Sequence, residues 1–278
     1  MNVLEFSLLI WVGSFTAGFL GALTGLGGGV VIVPLLTSVF GVDIRYAVGA
    51  SLVSVIATSC GAASAYIKEG YTNIRIGMFL EVATTVGAII GAFLATMVSV
   101  KALTLVLAIV LLYSAYLSQQ PRTEQSDTEP PDALVTHLKL NGTFPTPDGL
   151  MMYQARSVPL GFSLMWLAGV FSGLLGIGSG AFKVLAMDQV MRLPFKVSTT
   201  TSNFTIGVTA AASAAVYLAR GYIDPGLSMP VMLGVLPGAF LGARVLVGAK
   251  TPILRIIFSL VLVVMACKMV YNSFIGGF

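Results

Sequence analysis

Long apolar stretches are the feature of this sequence that most restricts how it can fold. About 20 consecutive apolar residues are enough for an α-helix to cross a bilayer. About eight apolar stretches follow one another along the chain, at 4–40, 47–67, 76–98, 103–117, 158–191, 199–219, 227–246 and 253–271. Only 9% of the residues are charged, against about 25% in a typical soluble domain. We therefore predict an all-α integral membrane protein that crosses the bilayer several times.

The second half of the sequence repeats the first. The shift that carries Gly18 onto Gly169 (151 positions) aligns the halves without a gap, and it also carries Ser51 onto Ser202. Glycines and loop residues agree as well as apolar ones, and internal duplication of this kind is common in transporter folds. A polar segment with several prolines separates the halves. The predicted organisation is a first membrane repeat, a polar linker and a second membrane repeat, at 1–118, 119–157 and 158–278.

Each half contains a glycine-rich break in its first apolar block, Gly25–Gly29 (the first break) and Gly176–Gly180 (the second break). Backbone polar groups inside hydrocarbon must be hydrogen-bonded, so such a break survives only where protein or water covers it. The helix that restarts after it directs free N–H groups and the positive end of its dipole toward the break. Two such half-helices meeting near mid-membrane would form an anion site, unless the glycines only allow close helix packing. The candidate residues are Gly27, Gly28, Gly29, Gly178, Ser179 and Gly180.

Lys183 follows the second break by three residues, where the first half has Ile32. Ionisable side chains within a span are costly, and they usually line a pathway or pair with another charge. This lysine would dock an oxyanion; alternatively, it extends to the membrane interface or pairs with Asp188. Asp188 is a candidate counter-ion or proton carrier. Glu81, which replaces Met232 of the other half, is a second candidate for proton coupling, unless it lies near an interface or pairs with an arginine.

A run of hydroxyl and amide side chains, 198–203, opens the next helix of the second half. Neutral donors of this kind can replace the hydration shell of an anion at a buried site. Helix capping and interhelical hydrogen bonds are the alternative. The substrate-binding candidates from this run are Ser202 and Asn203, together with Ser51 of the first half.

The sequence does not favour an enzyme. An intramembrane enzyme would need a nucleophile with its base, or a set of metal ligands, and neither motif is present. His137 is the only histidine and stands in the linker, while Cys60 and Cys267 are far apart. We expect no catalytic residue, no metal and no cofactor. The small net charge of +4, carried mainly by short connections, fits membrane orientation better than nucleic-acid binding.

These motifs resemble the TauE/SafE family of sulfite-exporter-type permeases. The resemblance rests on the two breaks, on Pro34 after the first, and on the stretches Gly176–Lys183 and Lys196–Asn203. It covers nearly the whole chain outside the linker. It implies a duplicated helical bundle of about seven to nine spans, with two glycine-broken helices, in a prokaryotic inner membrane. It also implies transport of sulfite, of organosulfonates such as sulfoacetate, or of another small organic anion, driven by the proton gradient.

The function expected from the sequence is therefore that of a multi-pass secondary permease for a small anion. A passive anion channel and a carboxylate permease are the alternatives. The expected partners are the anionic substrate and the lipid bilayer; a homodimer is left open, and no nucleic acid is expected.

Overall fold

A computed structural model describes residues 3–66, 70–95, 99, 108–109, 112–113, 115–116, 133–138, 140–146, 149–176 and 178–274. The helices are α1 (Val3–Thr24), α2 (Gly29–Ser38), α3 (Ile44–Tyr66), α4 (Ile74–Leu94), α5 (Ala133–His137), α6 (Val158–Leu175), α7 (Gly180–Leu185), α8 (Phe195–Ala219), α9 (Pro225–Gly248) and α10 (Thr251–Phe274). A π-helical turn, Ala186–Val190, continues α7. Strands β1 (Gly142–Thr146) and β2 (Gly149–Tyr153) form an antiparallel hairpin. The predicted apolar stretch at 103–117 lies mostly outside the described residues, and linker residues 119–132 lie wholly outside them.

Six helices in the described ranges are long and apolar enough to cross a membrane, namely α1, α3, α4, α6, α8 and α9. They confirm the predicted helical membrane fold with two glycine-broken helices, to which the hairpin in the linker is a small exception. Helix α2 has 10 residues and α7 has 6. At about 1.5 Å of rise per residue, neither can cross a hydrocarbon core about 30 Å thick. The predicted total of seven to nine spans stays a prediction.

The two halves of the sequence form one shared bundle. Helix α1 packs along α9, and α4 packs along α6, so each outer pair joins a helix of one half to a helix of the other. The central helices α3 and α8 contact each other, while α3 also contacts α9 and α8 also contacts α4. The shift of the sequence repeat carries α1, α3 and α4 onto α6, α8 and α9. The helix contacts therefore obey the same two-fold relationship as the sequence.

Glycines set the distance between the paired outer helices. A Cβ on Gly238 of α9 would lie 2.1 Å from the carbonyl oxygen of Phe15, and one on Gly87 of α4 would lie 2.2 Å from that of Trp166. Only glycine permits this approach. Because lipid provides no hydrophobic force between helices, close packing of this kind is a main source of their association. The repeat carries Gly87 onto Gly238 and Phe15 onto Trp166, so the two contacts are equivalent.

The described part of the linker folds back onto the bundle at the start of α4. The phenol oxygen of Tyr153 accepts a hydrogen bond from the side-chain amide of Asn73 (2.8 Å), and Asn73 caps α4 by accepting one from the backbone N–H of Ile76. Val135 and Leu140 of the linker join the same buried apolar cluster as Ile76. Burial raises the pKa of Tyr153 above its ordinary value, while the Asn73 hydrogen bond acts in the opposite direction.

Candidate functional site between the glycine breaks

Both breaks are built from glycines in the left-handed backbone region. In the first break, Gly25, Gly27 and Gly28 have φ angles of 81°, 80° and 73°. In the second, Gly176 and Gly178 have φ angles of 63° and 78°. Residues with a Cβ rarely adopt these angles, and only glycine does so without steric cost. The chain therefore stops α1 and α6 inside the bundle and restarts as α2 and α7.

The two breaks touch each other. A Cβ placed on Gly180 would lie 2.3 Å from the carbonyl oxygen of Gly25 and 2.6 Å from the Cα of Leu26. A Cβ on Gly178 would lie 3.6 Å from the carbonyl oxygen of Leu26. The second break thus packs its backbone directly against the backbone of the first. Their contact places the starts of both short helices at one point in the bundle.

Two buried serines hydrogen-bond to the backbone of the breaks. Ser51 Oγ lies 2.9 Å from the carbonyl oxygen of Gly176 and 3.3 Å from that of Gly29. Ser202 Oγ lies 3.0 Å from the carbonyl oxygen of Gly25 and 3.5 Å from that of Gly180. The bonds to Gly176 and Gly25 satisfy carbonyl groups of the breaks themselves, as a break within hydrocarbon requires.

Lys183 lies one helical turn after the second break, where its backbone N–H donates to the carbonyl oxygen of Ser179 (2.9 Å). Its side chain is 1% exposed. The ammonium group forms an ion pair with the carboxylate of Glu81, and it donates to the hydroxyl oxygens of Thr205 (3.1 Å) and Thr209 (2.8 Å). A full positive charge is thus held inside the bundle by one carboxylate and two hydroxyl groups.

Glu81, on α4, is 3% exposed. Its carboxylate, like the ammonium group of Lys183, has several hydrogen-bond partners. Its Oε2 accepts hydrogen bonds from Lys183 and from Thr84 (3.0 Å). Its Oε1 accepts hydrogen bonds from Thr209 and from Thr85 (3.3 Å). Buried charges are tolerated when they are paired and when their remaining polar atoms are hydrogen-bonded. This Lys183–Glu81 pair meets both conditions.

The charged pair joins the two halves of the sequence, and it has no counterpart at the place that the repeat relates to it. Under the repeat, Lys183 corresponds to Ile32 and Glu81 to Met232, while Thr209 corresponds to Thr58. Ile32 is fully buried, so the place related to the charged pair by the repeat is apolar. The two half-sites are therefore alike in backbone and different in charge.

Comparison with known proteins gives the family. A family model described as "Sulfite exporter TauE/SafE" matches residues 10–269. The chain belongs to the TauE/SafE family. This confirms the resemblance, and with the six apolar helices it confirms a multi-pass membrane protein.

Three bacterial relatives carry names of membrane transporters. "Probable membrane transporter protein YunE" of Bacillus subtilis is 26% identical over 97% of this chain and 99% of its own length. "Probable membrane transporter protein YdhB" of the same species is 27% identical over 85% of this chain and 89% of its own length. "Probable membrane transporter protein ORF9" of Sinorhizobium sp is 23% identical, covering 97% and 95%. No solved structure matches the chain. The TauE/SafE protein described here is thus a membrane transporter.

The structure brings most of the sequence-derived candidates to the two breaks of this TauE/SafE protein. Ser51 and Ser202 bond the breaks, as described above, and Asn203 donates from its side-chain amide to the carbonyl oxygen of Ala22 (2.7 Å), near the end of α1. The remaining candidates form the breaks or begin the short helices, namely Gly27, Gly28, Gly29, Gly178, Ser179 and Gly180.

Asp188 is not the hydrogen-bonding counter-ion of Lys183. It lies in the π-helical turn, 3% exposed, and its Oδ2 accepts a hydrogen bond from the side chain of Gln189 (2.7 Å). The counter-ion is Glu81, 102 positions earlier in the chain. Both α4 and α7 pack against α8. The carboxylate of Glu81 and the ammonium group of Lys183 therefore meet beside that helix.

Four threonines around the charged pair were missed by sequence reasoning: Thr84, Thr85, Thr205 and Thr209. One signal was available, because Thr201, Thr205 and Thr209 recur every fourth residue, and such residues share one face of a helix. That hydroxyl stripe continues the predicted polar run 198–203 deeper into α8. Within the described ranges, no group of three His, Cys, Asp or Glu side chains could hold a metal ion.

Proposed function

We propose that this TauE/SafE protein is a secondary permease for a small anion, with sulfite or an organosulfonate as substrate and the proton gradient as driving force. The observation that carries the proposal is the buried ammonium group of Lys183, one turn beyond a break that touches its counterpart from the other half. A cation inside the membrane is costly, and it is usually found on a substrate or ion pathway.

Buried hydroxyl groups beside the two breaks support an oxyanion as the substrate. Ser179 and Thr199 are both fully buried, and their hydroxyl groups have no hydrogen-bond partner within the described part of the chain. Ser179 precedes Lys183 by one turn, and Thr199 packs against the first break at Gly25. A sulfite or sulfonate group has three oxygen atoms to satisfy, so it matches one ammonium group and several hydroxyl donors.

The comparisons support transport, and they support a sulfur anion through the family description alone. The relatives are named as membrane transporters without a substrate, while the family is described as a sulfite exporter. Alternating access is the mechanism we expect. The two halves would move against each other around the point where the breaks meet. Glu81 and Asp188 are the carboxylates available to carry a proton.

Exchange of labelled anions across liposomes tests this function. The purified protein is reconstituted, loaded with one unlabelled anion, and assayed for uptake of the same anion in radiolabelled form, with sulfite, methanesulfonate, sulfoacetate, acetate and phosphate tested in turn. We expect sulfite and at least one sulfonate to exchange and phosphate to be excluded. We expect Lys183→Met to lose exchange of every anion, and Lys250→Met, the same change at an exposed lysine, to keep it.

A second variant separates loss of binding from loss of folding. Lys183→Met leaves the Glu81 carboxylate without its partner, and this alone can unfold the protein. The double variant Lys183→Met/Glu81→Gln has a neutral pair and is expected to fold yet remain inactive. Exchange at the wild-type rate in either variant would overturn the assignment of the site to Lys183. Absence of exchange for all five anions in the wild type would overturn the function.

A further inference from the structure

The bonding of Lys183 limits how an anion can reach it. A lysine ammonium group has three N–H donors and no acceptor. In this structure those three donors go to Glu81, Thr205 and Thr209. An anion can therefore bind the ammonium group only if one of these partners leaves, and Glu81 is the partner whose negative charge an anion would replace.

The bonding of Glu81 shows which state of its carboxyl group fits the observed geometry. Both oxygens accept hydrogen bonds, Oε2 from Lys183 and Thr84 and Oε1 from Thr209 and Thr85. An ionised carboxylate accepts only, whereas a protonated one must donate from one oxygen. Threonine hydroxyl groups can accept as well as donate, so it is the contact of Oε2 with the Lys183 ammonium group that fits an ionised carboxylate. Protonation would turn one acceptor into a donor and would break the ion pair with Lys183.

Charge balance then couples the two events. The Lys183–Glu81 pair has no net charge, and its members are 1% and 3% exposed. An anion that entered alone would leave a net negative charge in a region of low dielectric constant, and a proton that entered alone would leave a positive one; both are costly. An anion on Lys183 together with a proton on Glu81 restores neutrality.

The surroundings of Glu81 offer few other groups that could take this role. Helix α6, packed along α4, has no ionisable side chain, and the ionisable residues of α8 are Lys196 and Tyr217 toward its two ends. Helix α4 itself adds Arg75, and α7 with its π-helical turn adds Lys183 and Asp188. The positions that the repeat relates to Lys183 and Glu81 are the apolar Ile32 and Met232. Among these groups Lys183 and Glu81 form the ion pair, and one pair sets one proton for each transported charge.

We infer that Glu81 and Lys183 form an exchange pair, in which one proton on Glu81 and one singly charged anion on Lys183 enter and leave the site together. Transport of a monovalent anion is then electroneutral proton symport. The inference rests on the proposed function, and it specifies the stoichiometry and the residues responsible for coupling. No covalent step is involved: the proton adds to a carboxylate oxygen, and the ammonium group replaces that oxygen with one from the anion.

Methanesulfonate is the probe that tests the coupling, because its single charge does not change with pH in the range of the assay. Proteoliposomes are given a pH difference of one unit, acidic outside, or a potassium diffusion potential without a pH difference. For one proton per anion, the pH difference supports accumulation of about tenfold, and the potential supports none. A pH electrode in weakly buffered medium is expected to record one proton taken up per methanesulfonate.

Glu81→Gln removes the proton site, and we expect it to abolish accumulation, so that the internal concentration does not exceed the external one. Asp43→Asn makes the same change at an exposed carboxylate and should accumulate methanesulfonate like the wild type. Accumulation by Glu81→Gln, or a wild-type ratio other than one proton per anion, would overturn the exchange pair while leaving the permease intact. The electrode measurement needs only the wild type, so the inference stays testable if the variant does not fold. If the wild type exchanges neither methanesulfonate nor sulfite nor any other of the five anions, the proposed function is instead overturned.

Discussion

Ser51 and Ser202 each donate a hydrogen bond to the break of the opposite half, Ser51 to the carbonyl oxygen of Gly176 and Ser202 to that of Gly25. The sequence repeat carries each member of one bond onto the corresponding member of the other. Each break is therefore hydrogen-bonded by a serine from the central helix of the opposite half, and neither break is completed by its own half alone.

Replacing either serine should destabilise the fold, because a buried carbonyl group then loses its partner. We expect Ser51→Ala and Ser202→Ala each to lower the free energy of unfolding by about 1–2 kcal/mol, measured by thermal unfolding in detergent. Ser163→Ala is the matched control, since Ser163 is not buried and bonds only to its own helix. Stabilities equal to that control would contradict the bridging role.

The contact between the breaks predicts a steric effect at Gly180 that requires no change in backbone angles. An added methyl group would meet the carbonyl oxygen of Gly25 at 2.3 Å, and backbone cannot move aside as a side chain can. We expect Gly180→Ala to cost about 1–3 kcal/mol, as overpacked cores do, or to prevent folding.

Gly248→Ala provides the control for that substitution, because Gly248 also lies in a helix and a methyl group added there would meet no heavy atom within 4 Å beyond the backbone of its own helix and its chain neighbours. Its midpoint of thermal unfolding should equal or exceed that of the wild type. If both alanine variants unfold at the wild-type temperature, the breaks are not packed against each other.

The two glycine breaks could be predicted from the sequence because their signal is local. Three alternating glycines within an apolar stretch have few structural uses, and their recurrence after 151 positions, from Gly25 to Gly176, pointed to a shared structural role. The equivalence of Ser51 and Ser202 followed from the same shift. What the repeat could not reveal was that each serine bonds to the other half, since alignment shows which residues correspond and not which residues touch.

The pairing of Lys183 with Glu81 could not be predicted for a related physical reason. Each residue was a candidate by itself, because a charge within a span needs a partner. Choosing the partner requires knowing which helices are neighbours, and Asp188 was the nearer carboxylate along the chain. The hairpin in the linker was missed because its strands, with Pro145 and Gly149, lack the alternating pattern of a half-buried sheet.

A double-mutant cycle on Lys183 and Glu81 should give strongly non-additive stabilities. Either single change, Lys183→Met or Glu81→Gln, removes one partner of a buried pair, for which losses of about 3–5 kcal/mol are typical. The double variant leaves no unpaired charge, so its loss should be smaller than the sum of the single losses by at least about 1 kcal/mol. Chemical unfolding in mixed detergent measures all three variants, and strictly additive losses would mean that the two side chains do not interact.

The hydroxyl group of Tyr153 should make stability depend on pH in the alkaline range. Burial raises the pKa of this phenol in the folded protein, while in the unfolded chain it is about 10. The contribution of the neutral phenol to stability is therefore fully present below about pH 10 and is lost as the pH rises through the higher pKa of the folded state. Tyr153→Phe also loses the hydrogen bond from Asn73, which should cost about 1 kcal/mol at neutral pH.

The measurement is the difference in unfolding temperature between the wild type and Tyr153→Phe, followed from neutral to alkaline pH. We expect a constant difference up to about pH 10 and a shrinking one above it, because only the wild type must keep the buried phenol neutral. Tyr271→Phe removes a hydroxyl group from an exposed ring and serves as the matched control for the substitution itself. A difference that grows with pH would show that the phenol ionises more easily in the folded protein than in the unfolded chain, and the linker would then not be packed over the start of α4 as described.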